Sequence, residues 1–189
     1  MGQIPYPDIE DVLKSTQALL RQQLPAVLAD ITTFRSDEDL ALFGAPIELT
    51  PPLDEQYWLG EPALVQDFPF VVISGHSSTS MGRRAAKSAT ERYPKTHDVV
   101  IECYLVDDLD QKLALKIARY GLAIEQVLEL HSCLPDLKAP IDEWGEQPEL
   151  THAGWVKSVQ YDRSNGTDRL FGYVRVEATF ETQPNLREF

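Results

Sequence analysis

Between Asp98 and His131 the spacing of apolar residues changes once, and that change organises the chain. Val99, Ile101, Cys103 and Leu105 alternate with Val100, Glu102, Tyr104 and Val106. The alternation predicts a strand with one wholly apolar face toward a core and one mixed face covered only in part. Asp107 and Asp108 break it. Asp108 stands where a helix needs an N-cap, and Asp110 falls in the first turn, where a carboxylate suits the helix dipole. Leu113, Ile117, Tyr120, Ile124 and Leu128 then recur at spacings of three and four, one stripe of an amphipathic helix. Leu115, Leu122 and Leu130 lie off that stripe and predict cover on more than one side of it.

The same reading extends outward in both directions. Residues 8–31 carry a helical pattern from Ile9 to Ile31, with Asp8 as N-cap and Pro25 as a kink or break. Thr32 to Asp39 reads as a turn. The proline-rich segment 45–69 predicts one short strand near Ile47 to Thr50 and otherwise extended loop, pinned to the body by Tyr57 and Trp58. Phe70 to Ser74 is a buried strand. Residues 75–97 have no apolar period and read as a long connection, and Leu134 to Leu150 as a loop. Trp155, Lys157, Val159 and Tyr161 alternate with Val156, Ser158 and Gln160. Asn165-Gly166 signals a hairpin turn, and Leu170 to Thr182 returns with Val174 and Val176 inward and Phe171 and Tyr173 outward. The sum is one α+β domain over 1–189: an antiparallel or mixed sheet of about four strands, flanked by an N-terminal helix (8–31) and a central helix (within 98–131), with a β-hairpin at 155–182.

Composition fits a folded domain, with 43% hydrophobic and 25% charged residues among 189. Net charge is −13, so phosphate repels the surface as a whole and nonspecific nucleic-acid binding is disfavoured. The charge is unevenly spread. Arg83, Arg84, Lys87, Arg92 and Lys95 stand against Glu91 alone, a net of +4 that leaves the remainder at −17. A basic connection on an acidic body implies contact with an acidic partner, another copy of the chain among the candidates. Cys103 and Cys133 are read as reduced thiols. The N-terminus lacks the basic and apolar regions of a signal peptide, and no run approaches a membrane span, so the expected site of synthesis and folding is a cytoplasm.

Candidate chemistry is sparse. His76, His97, His131 and His152 are scattered, and His131 with Cys133 is one weak metal pair without a second. No nucleophile elbow, phosphate loop or dinucleotide fingerprint occurs. The reading is therefore of a protein that acts by binding, not an enzyme, with no catalytic, cofactor or metal residues assigned.

The segment HDVVIECYLVDDLDQKLALKIARYGLAIEQVL, the hairpin SVQYDRSNGTDRLFGYVRVEATFE and the helix ALLRQQLPAVLADI together resemble the tail terminator (tail completion, or tail-to-head joining) proteins of long-tailed bacteriophages. The likeness runs from about residue 8 to 182 and rests on pattern and order, with 45–69 and 134–150 as departures. It implies a helix ahead of a sheet whose strands flank a central helix. It also implies a hexameric ring that caps the tail tube, stops its polymerisation and meets the neck or head-completion protein of the filled head. DNA would pass through the lumen without specific binding, and the protein would sit in the virion at the tail–neck junction after assembly in the bacterial host cytoplasm. Partner contacts are then expected from Arg83, Arg84, Lys87, Arg92, Lys95, Phe171 and Tyr173. The alternatives are another neck or tail component, such as a head-completion or tube protein, and a small α+β enzyme or ligand-binding domain.

Overall fold

Asp8 opens the first helix, α1 (Ile9–Phe43). Its carboxylate accepts from the Asp11 amide at 3.1 Å while the Asp11 carboxylate accepts from the Asp8 amide at 3.4 Å, a reciprocal cap on two orphan donors. Gly44 closes the helix in the left-handed region at φ 74° and donates its N–H to the Leu40 carbonyl. The computed structural model describes residues 8–61, 67–80, 95–139, 141, 148–165 and 170–182.

The helix is longer than the pattern 8–31 predicts, and Pro25 does not split it. Thr32 and Thr33 are helical and form no turn, their hydroxyls donating to the carbonyls of Leu28 and Ala29 one turn back. Asp39, expected in that turn, is wholly buried.

After a 3₁₀ turn (Asp54–Gln56) come strands β1 (Tyr57–Leu59), β2 (Phe70–Ser80) and β3 (Lys95–Asp107), then helix α2 (Asp110–Leu130), then β4 (Ala153–Asn165) and β5 (Leu170–Thr182). They make one five-stranded sheet in the order β1-β2-β3-β5-β4, with β1 parallel to β2 and the other pairs antiparallel. The architecture is α+β as read, but with five strands in place of about four. The extra strand is β1, inside the proline-rich segment. Ile47 to Thr50 is not a strand, though Ile47 and Leu49 are buried in the core. Gly75–Ser80 and Lys95–His97, expected in a structureless connection, extend β2 and β3, because Ser78 pairs with His97 and Thr79 with Thr96 across the ladder. The helix cap also differs. Leu109 occupies the N-cap position of α2, and its amide is taken by the Asp107 carboxylate at 3.0 Å.

Both helices cover one face of the sheet. Val71, Ile73, Val99, Ile101, Cys103, Val174, Val176 and Ala178 share that face by register and join Leu20, Leu24, Ile117, Tyr120 and Ile124 in the core. The predicted stripe of α2 is buried throughout; of the three leucines off it, Leu115 packs half-buried against the core, whereas Leu122 and Leu130 are 46% and 68% exposed. Of the expected pins, Tyr57 is buried and Trp58 is 39% exposed.

The helices are tied to each other by a bidentate pair, Arg119 to Asp39, at 2.6 and 2.7 Å. Asp39 also accepts from the Ile47 amide at 3.0 Å, and the Tyr120 hydroxyl donates to the Thr50 carbonyl, so one cluster fixes α1, α2 and the segment between them. The Arg119 guanidinium holds the Asp39 carboxyl below its usual range against the opposing effect of burial.

Candidate functional site

The second face of the sheet carries no helix among the described residues, and its side chains form rows across the strands. Phe70, Tyr104 and Tyr173 lie in one row by register. The Phe70 and Tyr104 rings stack at 4.7 Å between centroids, and Tyr104 and Tyr173 at 5.5 Å. Phe68, just ahead of β2, leans over the row against Phe70 and Phe171. Such cross-strand aromatic pairs stabilise a sheet and also present a flat apolar platform.

The next row is charged. Arg175 lies between Glu102 and Glu177, reaching Glu102 at 3.2 Å and Glu177 at 3.1 Å, and Glu102 accepts from the Tyr104 hydroxyl at 3.0 Å. Burial beside the Glu102 carboxylate pushes the Tyr104 phenol up to about 12, so it stays a donor at all ordinary pH.

Further along, Asp98 gathers the Lys157 ammonium at 2.5 Å, the Ser77 hydroxyl at 2.7 Å and the Thr179 hydroxyl at 2.6 Å. These donors, Lys157 first, hold its carboxyl well below the usual range. The cluster depends on two bulges at the same level of the sheet, at His76 in β2 and at Lys157 in β4. Each bulge inserts one residue and shifts the pleat by one. Consequently Trp155 and Tyr161, expected on one face, lie on opposite faces. Trp155 pairs with Thr179 on the uncovered side, and Tyr161 with Val174 on the helix side.

On the helix side of β2 and β3, His97 is buried between Ser78, at 2.8 Å from Nδ1, and Thr182, at 3.3 Å from Nε2. The pairing of a serine with a histidine is not an activated nucleophile here, since the far ring nitrogen meets a hydroxyl and not an orienting carboxylate. Burial, with Lys95 nearby, depresses the affinity of His97 for a proton.

The two sheet edges are treated differently. At β1 the carbonyl of Tyr57 accepts from Gln17 Nε2 at 2.7 Å and from Arg21 at 3.4 Å, so α1 ties down β1, while β2 beyond Ile73 has no strand on its outer side among the described residues. At β4, among the described residues, no further strand pairs with the outer edge, and within the strand the Arg163 amide donates to the Asp162 carboxylate at 2.7 Å.

Of the residues expected to meet partners, Phe171 and Tyr173 come together on the aromatic platform, with Phe171 38% exposed. Lys95 begins β3, beside Thr182. Arg83, Arg84, Lys87 and Arg92 lie outside the described residues. Sequence reasoning missed the Asp98 cluster and the Glu102–Arg175–Glu177 row. The signal for the row was present, since all three occupy the outward phase of their strands. The Asp98 cluster had no local signal, because its bulges are not written in any alternation.

No protein-family profile matches the chain, and no curated protein matches it. Among solved structures, a chain from the "Virion of native gene transfer agent (GTA) particle" is similar over 94% of this chain and 99% of that one, at 13% identity and a TM-score of 0.42.

Proposed function

We propose that the protein is a structural component of a phage-like virion, a tail terminator. In this reading it closes into a hexameric ring, caps the finished tail tube, stops its polymerisation and joins the tail to the neck of the filled head. The observation that carries the reading is the order of elements. A long helix precedes the sheet, β3 runs through a tight turn into α2, and the β4–β5 hairpin follows, which is the order on which the resemblance to tail terminators rests.

Two further features support it. One sheet face is packed by both helices while the other presents stacked aromatics and a row of ion pairs, a division suited to binding proteins on one side. The chain is acidic, −13 overall, which suits a ring through which DNA passes without being gripped. The partners are then further copies of the chain, the tail tube protein and the neck or head-completion protein, at the tail–neck junction of the virion.

Deleting the gene from the particle that encodes it tests the proposal. The expected result, by electron microscopy, is tails of uncontrolled length and filled heads that remain unjoined. Tails of normal length on joined heads overturn it.

A further inference from the structure

We infer that the outer edge of β4, from Tyr161 to Asn165, with the cleft beside it, seats the basic segment 81–94 of a second copy of this chain. The inference rests on the self-assembling reading above and deepens it by naming the contact.

An unpaired strand edge carries backbone donors and acceptors that invite another strand, and folded proteins commonly blunt such edges with bulges or lysines. Here the Tyr57 carbonyl of β1 is taken by Gln17 and Arg21, and β2, which β1 covers only from Val71 to Ile73, is bulged at His76 beyond it, so among the described residues β4 offers the longest regular edge to an added strand. The blunting on β4 is confined to one place. Lys157 sits in the bulge and is drawn over the sheet by Asp98, and beyond it the ladder from Ser158 to Asn165 is regular.

Beside that regular stretch lies a cleft of about 920 Å³ between α2 and the outer half of the hairpin, lined by Ala114, Ala118, Ile117, Tyr161 and Leu170. The small side chains of Ala114 and Ala118 leave room for those of an added segment. The surround is acidic. Among the described residues the one cation lining the cleft, Arg163, is held by Asp110 at 2.9 Å. Asp162 and Glu125 make no ion pair among the described residues, and burial, with the Glu125 carboxylate nearby, disfavours ionisation of Tyr161. An acidic seat selects a cationic occupant, and the chain's one strongly basic stretch holds Arg83, Arg84, Lys87 and Arg92.

Reach decides between the chain's own segment and a neighbour's. Segment 81–94 leaves from Ser80 and returns to Lys95, which pairs with Thr182 at one end of β5. Tyr161 and Asn165 pair with Val174 and Leu170 toward the other end, about 27 and 41 Å along the strand at roughly 3.4 Å per residue. A connection of this length, going out and back, reaches about 24 Å at full extension. Its own segment therefore falls short of this seat, while a second copy's does not.

The test uses two differently tagged full-length chains carrying Cys133→Ser, one with Ser164→Cys and the other with Ala86→Cys, mixed and treated with a short bismaleimide. Circular dichroism melts establish that both remain folded, and sizing establishes whether they associate. The expected result is a covalent dimer containing both tags, lost when Arg83, Arg84 and Lys87 are replaced by Ser. Association without that cross-link overturns the inference and leaves the ring reading standing. When both cysteines are placed in one chain, a cross-link confined within that chain also overturns it. A monomer at every concentration overturns both.

Discussion

Ile117 is 2% exposed on the buried stripe of α2, and its terminal methyl occupies the space above Gly172 where a Cβ would otherwise stand. Ile117→Ala should lower stability by about 2–5 kcal/mol, read by denaturant melting. Gly172→Ala should destabilise alone, by overlap with Ile117. The two changes together should cost less than their sum, because the truncated side chain leaves room for the new methyl. Additive losses would mean that the two residues do not share this space. Arg119→Met should lower stability by about 3–5 kcal/mol, since it leaves the Asp39 carboxylate buried without its cation. A loss near zero would show that Asp39 is reached by water. Ile117 was legible in the sequence, because a period of three and four is a local signal. The Asp39–Arg119 pair was not, because its partners lie far apart along the chain and Asp39 alone reads as a polar turn residue.

At the level of elements, the strand–turn–helix from β3 to α2 was readable because each has a strong period and a polar break divides them. The strands that were missed or cut short carry weak signals. β1 has three residues, too few to show alternation, and the ends of β2 and β3 are built from Ser, Thr and His whose pairing is visible only across the ladder. His97 makes that pairing testable. Its proton affinity is lowered by burial from the ordinary value of 6.5. The unfolded chain therefore takes up a proton first as pH falls. The stabilising contribution of neutral His97 is complete above about 6.5 and is lost progressively below it, toward the lower folded value. The thermal midpoint of the wild type should fall between about pH 7 and 5 more steeply than that of His97→Gln. Equal slopes would remove His97 as the cause. The bulge at Lys157, one of the two that build the Asp98 cluster, explains why a strict alternation misplaced Trp155 relative to Tyr161.

For the whole molecule, the charge division matters most. A segment of net +4 on a remainder of −17 favours association with acidic surfaces, and screening weakens such contacts as salt rises. Replacing Arg83, Arg84 and Lys87 with Ser should leave the melting curve unchanged while reducing assembly at low salt, and wild-type assembly should itself weaken as salt is added. Assembly of the triple variant equal to wild type across salt would remove the segment as a contact. What assembles, and into what shape, bears on the proposed role directly. The decisive measurement is the mass of the purified protein in solution, taken together with electron micrographs of the same sample. The account predicts a closed hexameric ring with an open lumen; a monomer at all concentrations, or an open fibre, would contradict it.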